Sequence, residues 1–405
     1  MRRFLTAVAA FALGGLLASP LKAQVSDGTI RIGLLTDFSS IYSSATGKGS
    51  EEAVKLAIEE VQAKAGGAKV ELITGDCQLK ADIAAGIARR WIDNEKIDLI
   101  VGGCNSAAGL AVQEVARNRN VLTLWSEVGV PDVTGKSCSR NSAQWTFDTY
   151  LLARSVITGL SENRKDKWFF ITADYSFGHA LQKDAETALK ESGGSVLGSV
   201  RHPLNNPDFS SFLLQAQSSG ATIVGFANAA ADLSNGIKQA KEFGLVPPKI
   251  KLAGFLVLLT DLHSLGLDVA QGLVSPTSFY WNRDEQTRAW SKRFFDRAGQ
   301  MPTMMQAGVY SAVKNYLRAV NATKTDAPDA VMAELRAHPI NDMMVRNGKL
   351  REDGRLVYDQ LLMQAKTPAE SKEPWDYQSV LRVLPAKEVY RPLEESGCPL
   401  VQAKN

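Results

Sequence analysis

The chain has 405 residues, 45% apolar and 22% charged, a balance that excludes a disordered, collagenous or disulfide-knot protein and suits two globular domains. Its formal charge of +3 arises from 46 basic and 43 acidic residues, and Arg2, Arg3 and Lys22 carry all of that excess. The remainder is neutral and has no basic run, so neither nucleic acid nor an anionic membrane surface is expected as a partner; both need clustered Lys and Arg.

In chain order, the first segment reads as an address. Arg2 and Arg3 precede an apolar stretch from Phe4 to Ala18, and Leu21-Lys22-Ala23 places a small residue before Gln24, the pattern of a secretory signal peptide cleaved near Ala23. The apolar stretch is short of the roughly 20 residues that span a bilayer. The mature chain is therefore expected to be exported to the periplasm.

Alternating strands and helices follow. Thr29 to Leu35 is a β-branched run, and Gly47 to Ala63 spaces Ala53, Val54, Leu56, Ala57, Ile58 and Val61 as one apolar helix face. Strands are predicted at 69–74, 98–102 and 121–124, with helices at 81–93 and 107–117. The rhythm restarts with strands at 168–172, 195–200, 222–226 and 250–253, separated by helices at 178–190, 208–218 and 232–243. Helices at 287–297 and 304–320 and a strand at 355–364 complete the pattern. Such alternation predicts an α/β fold of two doubly wound lobes with parallel sheets, because parallel neighbours need covering crossovers. The last helices and strand make no domain of their own, so the chain is expected to cross back between lobes.

Ligands in these sheets bind beyond the carboxyl ends of the strands, which points to the loops after residues 35, 102, 124, 172, 226 and 254. The first is dense in hydroxyls, with Ser39, Ser40, Tyr42, Ser43 and Ser44. The second, Gly103-Cys104-Asn105-Ser106, opens a helix whose first amides and dipole suit a carboxylate; Asn105 or Ser106 also serves there as a cap. Trp125, Trp145, Phe147, Tyr175, Phe177, Tyr280 and Trp281 recur near strand ends, where they can wall a cleft as well as fill a core.

In an exported chain an even cysteine count favours disulfides. Cys77, Cys104, Cys138 and Cys398 allow three pairings. There is no C-x-x-C and no H-E-x-x-H among the four histidines, so no metal and no cofactor is expected. Nor is an enzyme expected. No G-x-S-x-G stands on a strand-to-helix turn, Gly129 to Ser137 has the wrong glycine spacing for a phosphate loop, and Asp37-Phe38-Ser39-Ser40 occupies the place of a dinucleotide fingerprint.

Ile30-Arg31-Ile32-Gly33, Gly75-Asp76-Cys77, Val101 to Ser106, Ala173-Asp174-Tyr175-Ser176-Phe177-Gly178 and Gln306-Ala307-Gly308-Val309-Tyr310, in this order and spacing, resemble the type I periplasmic solute-binding proteins of ABC transporters. The likeness is to the leucine/isoleucine/valine-binding branch and covers nearly the whole mature chain. Trp145 to Tyr150, His202-Pro203-Leu204-Asn205 and Gly397 to Val401 resemble a proteobacterial subgroup, some of whose members bind aromatic acids. The resemblance implies a Venus-flytrap of two lobes joined by a three-crossover hinge, residues 27–146 plus 277–350 forming one lobe, 147–276 plus 351–390 the other, and 391–405 a tail. It also implies disulfides Cys77 with Cys104 and Cys138 with Cys398, a monomer, and delivery of a small-molecule solute to a membrane permease. A ligand-sensing module for a receptor or sensor kinase is the alternative.

In the amino-acid binders the carboxylate-holding position maps onto Asn105, and Tyr175 matches an aromatic of the second lobe. Ser126-Glu127-Val128-Gly129 and Phe255-Leu256-Val257 depart from the family's threonine and its acidic partner for the ammonium group. An unpaired ammonium is costly to bury, so unless Glu127 or Asp232 substitutes, a monocarboxylate or a largely uncharged ligand fits better than a standard branched amino acid; the class expected is a small carboxylate-type solute, an amino acid or an aromatic or aliphatic acid. On this reading the solute docks at Ser40, Tyr42, Asn105, Ser106 and Ser126, and Tyr150, Tyr175, Asn228 and Asp232 then favour the closed state.

Overall fold

A computed structural model describes residues 25–62, 68–160, 166–245 and 250–402. The expected signal segment, the helix end at Ala63 and the last three residues of the tail lie outside the described residues. Strand β1 (Thr29–Thr36), helix α1 (Gly47–Gln62), β2 (Lys69–Asp76), α2 (Ala81–Asp93), β3 (Leu99–Gly102), α3 (Ser106–Arg119), β4 (Leu122–Trp125) and β5 (Ser142–Gln144) build the first sheet. All its strands are parallel, in the order β2-β1-β3-β4-β5. β3 and β4 are buried along their whole length, as parallel strands covered on both faces must be, and this accounts for their near-continuous apolar sequence.

The second lobe runs through α4 (Thr149–Leu160), β6 (Lys167–Ala173), α5 (Ser176–Ser192), β7 (Ser195–His202), α6 (Ser210–Ser218), β8 (Ile223–Ala227), α7 (Ala230–Glu242), β9 (Lys251–Gly254), α8 (Leu259–Leu265), α9 (Leu267–Ala270) and β10 (Val274–Thr277). The chain then returns to the first lobe, where α10 (Glu285–Ala298) and α11 (Met304–Thr323) pack on α1 and α12 (Pro328–Ala337) packs on α11. A small hairpin of β11 (Lys349–Leu350) and β12 (Leu356–Val357) precedes β13 (Gln360–Ala365) and β14 (Gln378–Leu384). These last two join the second sheet antiparallel, giving the order β14-β13-β10-β9-β8-β6-β7. The single strand expected over 355–364 is thus two, broken at Tyr358 and Asp359.

Close packing of α11 on α1 depends on one glycine. A Cβ at Gly49 would lie 2.1 Å from Gln306 Nε2, and that amide donates to the Thr46 carbonyl at 3.2 Å while its oxygen accepts the Thr303 N–H at the start of α11. Lower on the same face, Glu60 accepts from Tyr310 (2.6 Å) and Lys314 (2.7 Å), and these partners hold its carboxyl near 2 despite the burial that opposes them.

Three passages of chain link the lobes, near residues 145–148, 278–284 and 351–359, and they are tied to each other. Arg355, 1% exposed, donates to the carbonyls of Gln144 (3.0 Å) and Thr146 (2.8 Å). Its Nε lies 3.0 Å from Asp148 as a charge contact, not an aligned hydrogen bond, and its guanidinium stacks 4.8 Å over the Tyr390 ring. Ser278 donates to Gln360 (2.7 Å), and Gln360 donates to the Tyr390 hydroxyl (2.8 Å). The disulfides are Cys77–Cys104 and Cys138–Cys398; the second fastens the C-terminal segment to the first lobe.

Candidate functional site

In each sheet the strand order reverses beside the first strand of the lobe, between β1 and β3 and between β6 and β8. The crevices at these switch points are where doubly wound sheets bind ligands. A narrow cavity of about 20 Å3 is walled by Tyr42, Thr46, Cys104, Asn105, Ser106, Glu127 and Gly129 from the first lobe and by Tyr175, Phe177 and Leu256 from the second, with Phe147 and Met305 completing it.

The α3 end of the cavity is rich in donors. Gly102, Gly103 and Cys104 take left-handed φ values of 95°, 109° and 70°, and this turn aims the first amides of α3 at the space beyond β3. Asn105 caps the helix: its Oδ1 accepts the Ala108 N–H at 2.8 Å, and its Nδ2 donates to the Leu79 carbonyl at 3.0 Å. The amides of Ser106 and Ala107 have no carbonyl partner within the helix. Ser106 Oγ already accepts from Gly129 (3.3 Å) and Val130 (3.1 Å), so its proton remains to be donated.

Among the described residues Glu127 is the one carboxylate in the walls. It is buried, accepting from Thr36 (2.9 and 3.0 Å), Ser50 (3.0 Å) and the Cys104 N–H (3.1 Å). Burial pushes its carboxyl up to about 7, against the three donors and with help from nearby Asp37. Among the described residues no Lys, Arg or His is in the cavity walls. Tyr42 and Tyr175 meet across the cleft with hydroxyls 2.7 Å apart, and burial raises both phenols.

Of the residues anticipated at the site, Tyr42, Asn105, Ser106, Glu127 and Tyr175 are therefore brought together. The others stand outside the walls. Ser40 is half-buried and gives its N–H to Asp37 at 2.9 Å. Ser126 is fully buried and faces Gly308, with no partner for its hydroxyl. Tyr150 lies between the guanidinium groups of Arg154 and Arg391, 5.2 and 4.7 Å from its ring. Asn228 is bonded to His202 at 3.0 Å, and Asp232 accepts the amides of Asn205 (3.0 Å) and Asn206 (2.7 Å). Leu256 stands in the loop where the resemblance puts the family's acidic partner; Thr46 and Met305 carry no signal in the sequence, and an apolar residue such as Met305 looks like core there.

A family model described as periplasmic binding protein matches residues 29–372. The chain belongs to that family. The crystal structure of a periplasmic binding protein from Burkholderia mallei is similar to it, with TM-score 0.89 and 43% identity, covering 92% of this chain and 99% of that one. A branched chain amino acid ABC transporter periplasmic ligand-binding protein from Burkholderia xenovorans has TM-score 0.84 and 38% identity, covering 92% and 100%. Among curated proteins, Leu/Ile/Val-binding protein homolog 7 of Brucella suis is 28% identical over 81% of this chain and 85% of its own length. Periplasmic binding proteins of this family are solute binders and not enzymes. Among the described residues no His, Cys, Asp or Glu cluster is placed to hold a metal ion, and no helix is long and apolar enough to cross a membrane.

Proposed function

We propose that this periplasmic binding protein is exported by its N-terminal segment, captures a small carboxylate-type solute between its lobes, and delivers it to an ABC permease of the inner membrane. The lobes would be residues 27–146 plus 277–350 and 147–276 plus 351–390. The observation that supports the solute class is the donor set at the start of α3: the Ser106 helix amide and the free Ser106 proton stand in the wall of a cavity that also presents Phe147, Phe177, Leu256 and Met305. α5 also begins at the cavity, through Tyr175 and Phe177, so two positive helix ends favour an anion there. The rings of Phe147 and Phe177 with Leu256 and Met305 suit an apolar or aromatic body.

A thermal-shift screen of amino acids, benzoate and its hydroxylated forms, aliphatic acids, amides and amines tests this, since a solute bound only by the folded form raises the melting temperature. A carboxylate should give the largest shift, and Ser106→Ala should weaken its binding about tenfold, the loss of one hydrogen bond to a charged group. A cationic amine as the best hit, unaffected by Ser106→Ala, overturns the proposal.

A further inference from the structure

Gly129 is a glycine whose backbone does not require one, because its φ is not in the left-handed region. Space requires it. A Cβ at this position would lie 2.7 Å from the ring of Phe177 and 2.8 Å from that of Phe147, closer than real Cβ contacts. Nor can residue 129 swing aside, since its N–H is given to Ser106 Oγ (3.3 Å) and its carbonyl accepts the Thr149 N–H (2.8 Å), fixing it between the starts of α3 and α4. Phe177 arrives from the opposite lobe on the first turn of α5 and is 3% exposed. Beside it the Tyr42 and Tyr175 hydroxyls touch across the same gap, and the Tyr175 and Phe177 rings are 5.9 Å apart.

We infer that Gly129 is the seat on which the cleft shuts: the Phe177 ring lands on bare backbone, against Phe147, and this contact sets the closed position of the lobes without any contribution from the solute. The inference deepens the solute-binding reading, on which it rests for its biological meaning. Phe177 then acts as a positioning and size-limiting residue, because the distance to which it descends bounds the height of the cavity. A closed state held by the protein's own side chains is populated before binding, and a solute need shift the equilibrium less.

The test uses the full chain without solute. Spin labels carried on unnatural amino acids at Asn118 and Lys190, exposed positions near the far ends of α3 and α5, leave all four cysteines paired. Distances between them are read by double electron–electron resonance. The wild type should give one short distribution, Gly129→Ala should move at least half of the population to longer distances, and Gly129→Ala with Phe177→Ala should return most of it, because the space left by Phe177 accommodates the added methyl and the displaced Phe147. A Gly129→Ala distribution that superposes on the wild type overturns the inference, as does a double variant that stays open. If Gly129→Ala does not fold, the double variant decides: folded and closed supports the seat, unfolded or open refutes it. No solute enters the measurement, so failure of the proposed solute class leaves this result untouched, and the reverse holds.

Discussion

Glu127 shows how one side chain is set by burial more than by charge. Folding takes its carboxyl from an ordinary 4.5 up to about 7, so between those values the folded form binds a proton that the unfolded chain releases. The group's favourable contribution is complete below about 4.5 and is lost as the pH rises through 7. Glu127→Gln removes that loss. The variant's melting temperature relative to wild type should rise between pH 5 and pH 8, by the equivalent of at most about 3 kcal/mol; thermal denaturation at the two pH values measures it. Asp261, also raised to about 7 by burial, is present in both proteins and cancels. A difference independent of pH would show that Glu127 titrates normally. At this scale the sequence is a partial guide. Ser126 and Glu127 are neighbours in one loop, yet only Glu127 reaches the cavity while Ser126 turns toward Gly308. A residue list can name the loop but not the direction of each side chain.

Among the elements, α3 carries the binding reading, and its cap separates two effects that a substitution would otherwise merge. Both polar ends of Asn105 are engaged, one on Ala108 and one on Leu79. Asn105→Ala should therefore cost about 1 kcal/mol of stability, measured by urea denaturation, and Asn105→Ser should recover most of it, since serine caps equally well. If Asn105→Ser is as unstable as Asn105→Ala, the cap is not the source of the loss. The strands legible in the sequence include β3, β4 and β8, buried along their whole length with continuous apolar runs, but also the more exposed β2 and β7. Missed, along with α8, α9, β10 and α12, were β5, only Ser142-Ala143-Gln144 and held by the Gln144 amide on the Val128 carbonyl at 2.8 Å; α4, whose Val156, Ile157 and Thr158 weaken helix propensity; and β14, an edge strand with Val380, Leu381 and Val383 exposed, which lacks the alternation of a half-buried strand. Propensity fails wherever tertiary contacts decide.

In the molecule as a whole, two lobes move only as far as their linkers allow, and Arg355 ties the first linker to the third. Removing the arginine alone would leave Asp148, 6% exposed, without its counter-charge. Arg355→Met should cost about 3 to 5 kcal/mol, and adding Asp148→Asn should recover part of it, because a lone buried charge costs more than a missing pair. Denaturation of the single and double variants forms the cycle; strict additivity would mean that the two residues are not coupled. The return of the chain to the first lobe was legible, since the helices after Trp281 cannot form a core alone. The polar lacing of the linkers was not, because its partners lie up to 213 residues apart.

The bond between Cys138 and Cys398 joins residues 260 positions apart. On the proposed route of export, a polypeptide that enters an oxidising space amino end first presents Cys77, Cys104 and Cys138 together, and only the first two have their native mate at hand. Cys138 must wait, still a thiol, until nearly all of the remaining chain has arrived. During that wait it competes for either of its two early neighbours, so maturation favours a catalyst that reshuffles wrong pairs over one that merely oxidises.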